Sequence, residues 1–232
     1  EIIQQEIGMY QDSPDYRLFF GVLENLYPGT PLADDIAGTR DSISDITIDN
    51  LHENFDLFYH PSQMHLLVIG KFDVDPILQV LKEYDQISQL PSIKMERFPV
   101  EKNEVKLNQS CRMDVATPKL AIGIRGNDDI KEEEKFRYKL MLKLLFSMMF
   151  GWTSQRFQSL YEAGKIDNSL TLEVEVEELF HFVILTMDTK EPVSLSHQFR
   201  SAIKQFDKDP DVNQEHLDTI KSEMFGDFLQ GL

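Results

Sequence analysis

The sequence is poor in cysteine and in basic residues. Cys111 is the only cysteine among 232 residues, so the chain can form neither an internal disulfide nor a cysteine-based zinc cage, as expected of a cytoplasmic protein. Lys and Arg total 23 against 40 Asp and Glu, which gives a net charge of −17. Because nucleic acids are bound through basic residues that displace counterions from phosphates, we expect no nucleic-acid partner.

Long apolar runs are also missing. A bilayer-spanning helix needs about 18 apolar residues, and the most apolar stretch, residues 140–150, is shorter and is interrupted by Lys143. The first residues, EIIQQ, lack an initiator methionine and the basic-then-apolar profile of a signal peptide. We therefore expect no membrane association, and we interpret the sequence as a piece of a longer protein.

Recognisable catalytic motifs are absent. The sequence contains no P-loop, no G-x-G-x-x-G, no G-x-S-x-G and no pair of histidines in a zinc-peptidase motif. No two histidines lie four residues apart, the spacing that places two imidazoles on one face of a helix. We interpret all six as structural or solvent-exposed: His52, His60, His65, His181, His197 and His216. The chain by itself is not expected to be catalytic.

Hydrophobic periodicity predicts an α+β fold. In the first part it predicts helices at 2–11, 16–27, 41–58 and 76–84, and one buried strand at 65–70. A polar stretch with Pro91 and Pro99 follows and predicts an exposed connection. In the second part the pattern predicts strands at 120–124, 169–175 and 180–187 and helices at 131–150, 154–162, 193–206 and 213–229.

Several segments, taken in order, resemble the insulinase/pitrilysin family of zinc peptidases, the inverzincins. The segments are 1–18 (EIIQQEIGMYQDSPDYRL), 35–39 (DIAGT), 42–47 (SISDIT), 58–70 (FYHPSQMHLLVIG) and 151–167 (GWTSQRFQSLYEAGKID). Each motif alone is weak, but their order covers nearly the whole chain. Within the family, the sequence is most similar to the bacterial processing-peptidase-like branch, whose members are encoded in pairs.

The resemblance implies two peptidase modules, each an antiparallel sheet with helices packed on one face. Residues 1–92 would be the C-terminal part of the first, zinc-bearing module, residues 93–108 the linker, and residues 109–232 a truncated second module. The strand at 64–69 would then have lost its sheet partners to the missing N-terminal part. We expect its edge to be exposed or covered by a neighbour.

The resemblance also implies one metal ligand. In the family, an H-x-x-E-H motif supplies two histidine ligands and the general base, and a later Glu in a Q-E-I stretch is the third zinc ligand. Glu6 occupies this position, and the H-x-x-E-H motif would lie upstream of residue 1. The whole protein would therefore be a zinc metalloendopeptidase that cleaves peptides or unfolded segments, whereas the fragment would hold no zinc. The alternative is a non-catalytic family member that serves as a structural or substrate-cradling subunit.

A substrate-binding pair of the family is substituted in this sequence. In the family, an Arg and a Tyr seven residues apart bind the substrate backbone across the chamber from zinc. Tyr161 stands at the Arg position and Asn168 at the Tyr position. Tyr161 cannot supply the positive charge of an Arg. This departure predicts either that the pair is dispensable or that a paralogous subunit supplies it in a heterodimer.

Overall fold

The computed structural model describes residues 2–60, 64–83 and 99–231. Its helices are α1 (Ile2–Asp12), α2 (Pro14–Leu26), α3 (Arg40–Ser44), α4 (Ile48–Phe58), α5 (Val74–Glu83), α6 (Lys135–Phe150), α7 (Gln155–Glu162), α8 (Pro192–Lys204) and α9 (Gln214–Gln230). Its strands are β1 (Lys119–Arg125), β2 (Thr171–Val176) and β3 (His181–Asp188). One-turn 3₁₀ helices lie at Pro31–Ala33, Glu132–Glu134 and Phe206–Lys208. The chain divides into two compact units, Glu1–Ala37 with Pro99–Leu232, and Gly38–Phe98.

The first unit is built on an antiparallel sheet in the order β1-β3-β2. Leu185 of the central strand pairs with Ile122 of β1 and with Leu172 of β2. Strand residues alternate between the two faces of a sheet, so Val183, Leu185 and Met187 share one face. All three belong to the larger core cluster, together with residues of α6, α7 and α8.

Helix α2 covers the opposite face of this sheet. Its residues Val22, Leu23 and Leu26 form a second buried cluster with Phe182 and Ile184 of β3. Gly123 allows the close approach, because a Cβ at this position would lie 2.5 Å from the Cγ1 of Val22. The predicted α+β class with an antiparallel sheet is confirmed. Helices α6, α7 and α8 pack on one face of the sheet, and α2 covers the other face.

A buried ion pair fixes helix α7 to the loop before α9. Arg156 donates to a carboxylate oxygen of Asp209 at 2.6 Å, and the Asp209 side chain is only 1% exposed. The same guanidinium donates to the carbonyl oxygen of Met149 at 2.8 Å and lies over the Phe150 ring, 5.2 Å from its centroid. Asp209 also accepts from the backbone N–H of Asp211. The pair thus joins the end of α6, the start of α7 and the segment after α8.

The second unit carries its apolar residues on its surface. None of its described residues, 38–60 and 64–83, is buried. The predicted buried strand at 65–70 is wrong for this structure, since these residues are not in a strand and Leu66, Leu67 and Ile69 are 67%, 80% and 84% exposed. A strand exists only when its backbone groups pair with a neighbour, and no described residue of this unit provides one.

One further sequence prediction needs correction. The single helix predicted at 41–58 is interrupted, because Thr39 and Thr47 each cap a separate helix through a reciprocal capping box. The described part of the segment predicted as a linker, 99–108, is irregular and mostly exposed, and it is attached to α2, since Lys106 donates its backbone N–H to the carbonyl oxygen of Asn25 at 2.9 Å. Residues 84 and 93–98 of the predicted elements lie outside the described residues.

No helix in the described ranges has the length and apolarity that crossing a membrane requires.

Gly126 is expected to be intolerant of any side chain. A Cβ there would lie 1.7 Å from Nε2 of the buried His181. We expect Gly126→Ala to lower the free energy of unfolding by about 1 to 3 kcal/mol, the usual cost of overpacking a core. Gly21→Ala is the matched control, since a Cβ at Gly21 in α2 meets nothing within 4 Å. Urea unfolding of both variants measures the difference, and an unchanged Gly126→Ala midpoint would show that His181 moves aside freely.

His181 is expected to make stability depend on pH. Burial lowers the pKa of His181 below its usual 6.5, the nearby Asp128 carboxylate opposes this shift and Lys102 adds to it. The unfolded chain therefore binds a proton at a higher pH than the folded chain. Stability is expected to fall as the pH drops below about 6.5 until the folded pKa is reached. Denaturant unfolding at several pH values measures how the free energy of unfolding depends on pH. The part of this dependence that disappears in His181→Gln is the contribution of His181.

Candidate functional site

The candidate site lies on α1, where Glu6 was assigned by resemblance. Helix α1 ends at Asp12 because Ser13 begins the next helix: the Ser13 side chain accepts the N–H of Tyr16, and Pro14 occupies the first position of α2. Ile7 buries one side of α1 and is 2% exposed. Glu6, its neighbour, is exposed. The helix therefore holds a carboxylate at the surface of the first unit.

The Glu6 carboxylate is oriented by a tyrosine one helical turn later. The hydroxyl of Tyr10 donates to Oε1 of Glu6 at 2.7 Å. This hydrogen bond raises the pKa of Tyr10, and the charge of Glu6 adds to the effect. Residues four positions apart lie on the same face of a helix, so the pair follows from the local fold. The bond leaves Oε2 of Glu6 available to a further partner.

Tyr10 is in turn braced by α2 and the segment after it. Its ring stacks on that of Tyr16, with centroids 4.7 Å apart and planes 11° from parallel. The Tyr16 hydroxyl donates to Oδ1 of Asp35, which also accepts the backbone N–H of Ala37 at 2.9 Å. Burial, together with the Asp35 hydrogen bond, raises the pKa of Tyr16 to about 12. Glu6 thus stands at the end of a chain of aromatic and carboxylate contacts.

The described residues hold no complete metal site. No three His, Cys, Asp or Glu residues of the described ranges come close enough together to bind a metal ion. An exposed carboxylate with one oxygen oriented and the other open suits a single zinc ligand, whereas zinc sites in proteins require three or four. Glu6 therefore fits as one ligand of a site whose other ligands would have to come from elsewhere.

Tyr161 and Asn168 lie around the end of α7. Tyr161 is in the last turn of the helix, 45% exposed, and its ring stacks on that of Phe157. Gly164, with φ of +66°, ends the helix in a left-handed turn, and the N–H of Lys165 donates back to the carbonyl oxygen of Leu160. Asn168 is exposed in the turn that follows. Neither side chain provides the cation of the family's pair.

A cleft lies between α2 and the outer face of the sheet in the same unit. Its volume is about 290 Å³. Burial raises the pKa of Glu173 in its wall, with the neighbouring Glu175 adding to the shift and Lys139 opposing it. The lining combines two carboxylates, two hydroxyls and three apolar side chains: Asp15, Glu173, Thr171, Thr186, Leu18, Phe19 and Ile184. No described basic side chain lines it.

The described residues form an α+β fold around an antiparallel sheet, and they bring no second and third metal-binding side chain close to Glu6. Residues 45–224 match the model of the peptidase M16 inactive domain. The chain belongs to this family, which confirms the resemblance to insulinase-type zinc peptidases. It is 34% identical along its whole length to an uncharacterized zinc protease, YmfH, of Bacillus subtilis, and covers 54% of that protein. The chain thus spans about half the length of this relative.

Solved structures show the same fold. The chain superposes on an M16-like peptidase of Alicyclobacillus acidocaldarius with a TM-score of 0.82 and 25% identity, over 99% of this chain and 55% of that one. A peptidase M16 inactive domain of Pseudomonas fluorescens gives a TM-score of 0.70 at 14% identity, over 97% of this chain and 54% of that one. The second likeness shows the fold alone.

The sequence analysis missed the residues around Glu6. Tyr10, Tyr16 and Asp35 were not singled out, although the spacing of Glu6 and Tyr10 was a usable signal. The contact of Tyr16 with Asp35 spans 19 positions and required the packing of α2 to be known.

Proposed function

We propose that this chain is part of a zinc metalloendopeptidase that cleaves peptides or unfolded segments. The observation that carries the proposal is the exposed Glu6 carboxylate, which accepts the Tyr10 hydroxyl. The resemblance assigns Glu6 as the family's third zinc ligand. When bound, zinc lowers the pKa of a coordinated water towards neutrality and polarises a peptide carbonyl. Glu6 would supply a carboxylate ligand to the metal, and residues outside this chain would supply the histidines and the general base.

The second part of the chain has a supporting role in this proposal. Most of it falls within the match to the inactive-domain model, and no metal-binding group occurs among its described residues. The predicted division into modules 1–92 and 109–232 with a linker at 93–108 is kept as part of the proposal. Residues 109–232 would close one wall of a chamber around the peptide.

The apolar surface of the Gly38–Phe98 unit supports a larger protein. Phe55 and Phe58 of α4 and Leu78 and Leu81 of α5 are all exposed. Monomeric proteins seldom leave large apolar patches in water. We propose that the remainder of the whole protein, about half its length by comparison with its relative, covers this surface. The single cysteine further favours a cytoplasmic location.

A paralogous subunit is proposed as the partner. Tyr161 and Asn168 replace the family's Arg and Tyr, and a guanidinium gives fixed donors and charge that a phenol does not. A second chain would supply the missing pair across the chamber. The charge of −17 favours a partner whose facing surface is basic, because complementary potentials orient and speed association.

Co-expression tests the proposed function. The whole protein and the product of the adjacent paralogous gene are purified alone and together, and peptide hydrolysis is measured with and without a zinc chelator. We expect chelator-sensitive activity only in the mixture, and its loss when the Arg and Tyr of the partner are replaced. Full activity of the whole protein alone would contradict the division of labour. Absence of activity in every combination, with zinc absent, would favour the non-catalytic subunit.

A further inference from the structure

Glu6 belongs to a connected group of side chains that extends beyond its own helix. The group consists of the Glu6 carboxylate, the Tyr10 hydroxyl, the stacked Tyr16 ring and Asp35. Asp35 is itself fixed by the N–H of Ala37. Ordinary surface glutamates on helices have no such support, since their side chains are free to rotate in water. The group therefore restricts the rotation of the Glu6 carboxylate.

We propose that Tyr10 is a positioning residue for Glu6 as a zinc ligand, which rests on the function proposed above. The Tyr10 hydroxyl donates to Oε1 of Glu6 at 2.7 Å, which would leave Oε2 to face the metal. A ligand carboxylate commonly needs such an outer hydrogen bond to fix its orientation. Without it, both oxygens are free and the side chain loses the rotational order that binding requires.

Tyr16 and Asp35 determine how firmly Tyr10 is held. A tyrosine at a surface retains rotational freedom, but stacking with centroids 4.7 Å apart and planes 11° from parallel limits the Tyr10 ring. The hydroxyl of Tyr16 is anchored to Asp35 and does not compete for Glu6. Tyr10 therefore acts directly on the ligand, and Tyr16 acts through Tyr10.

The test compares variants of the whole protein that remove single hydroxyl groups. Tyr10→Phe deletes the bond to Glu6 and keeps the ring stack. Tyr138→Phe is the matched control, because Tyr138 also donates to a carboxylate, that of Asp128 at 2.6 Å. Zinc affinity is measured by competition with a chromophoric chelator, and the visible spectrum is recorded after replacement of zinc by cobalt. Glu6→Gln is measured in parallel.

We expect Tyr10→Phe to weaken zinc binding about 10- to 100-fold, the usual effect of losing an outer-shell partner. Without the Tyr10 hydroxyl, Glu6 could bind cobalt through both oxygens, which raises the coordination number. We therefore expect the cobalt spectrum of this variant to lose intensity, since cobalt absorbs more weakly at higher coordination numbers. Tyr138→Phe should change neither property. If Glu6→Gln weakens zinc binding but Tyr10→Phe does not, the inference is overturned and the proposed function stands. If Glu6→Gln leaves zinc binding unchanged, the ligand assignment fails, and the role of Tyr10 fails with it.

Tyr16→Phe provides a second route if Tyr10→Phe does not fold. This variant keeps both rings and the Tyr10 hydroxyl but releases the anchor to Asp35. We expect zinc affinity lower than that of the parent protein, by less than the about 10-fold that marks the lower limit for losing a direct outer hydrogen bond. Unchanged affinity and an unchanged cobalt spectrum in a folded Tyr16→Phe protein would contradict the bracing of Tyr10.

Discussion

Replacing Glu6 with Gln in the whole protein is expected to abolish most zinc binding and peptide hydrolysis. The amide keeps the volume of the side chain and can still accept the Tyr10 hydroxyl, but it removes the negative charge of the proposed zinc ligand. The loss should exceed the about 10- to 100-fold that removal of an outer-shell partner costs. Zinc affinity and peptidase rate are measured side by side.

The fold should be unaffected by this change, since Glu6 is exposed and α1 keeps its pattern. The control is Glu133→Gln, which replaces an exposed carboxylate in the turn before α6. This variant should leave zinc binding and hydrolysis unchanged. Normal turnover with zinc retained in Glu6→Gln would show that the third ligand is another residue.

Replacing Arg156 with Met is expected to give a large loss of stability. The variant keeps an apolar side chain against the Phe150 ring but leaves the carboxylate of Asp209, 1% exposed, without its cation. Breaking a buried ion pair by removing one partner usually costs about 3 to 5 kcal/mol. Denaturant unfolding of the chain measures the difference in free energy.

The matched control is Lys106→Met. Lys106 pairs with Glu24 at 2.6 Å, but the two side chains are 49% and 46% exposed. Exposed pairs contribute about 0 to 1 kcal/mol, so this variant should remain close to the parent. Equal effects of the two substitutions would mean that Asp209 is rehydrated when Arg156 is lost.

Much of the fold could be predicted because its signals are local. Ser13 with Pro14 marks the start of α2, Ser154 that of α7 and Asn213 that of α9, and each of the three side chains accepts a backbone N–H of its helix. Strands β2 and β3 were found as adjacent segments joined by a short turn. The break between α3 and α4 was missed, because Thr39 and Thr47 cap their helices with Ser42 and Asn50 instead of the usual Glu or Gln.

The remaining features depend on residues far apart in sequence. The run at 65–70 is apolar enough for a strand, but a strand also needs a paired neighbour, which sequence pattern does not reveal. The close contact of Gly126 with His181 and the ion pair of Arg156 with Asp209 both require the folded chain. Glu6 was assigned as a zinc ligand by resemblance alone, since a single glutamate on a surface helix has no distinctive pattern. The role proposed for Tyr10 rests on its contacts with Glu6 and Tyr16, which the sequence pattern did not single out.

The most direct test of the central claim is the zinc content of two proteins purified in parallel: this 232-residue chain and the whole protein. Both are dialysed against a weak chelator and analysed for bound metal. Because one carboxylate cannot hold zinc while three or four ligands can, the whole protein should retain near-stoichiometric zinc and the chain should retain far less. Near-stoichiometric zinc bound to the chain through Glu6, or a whole protein without zinc, would contradict the account.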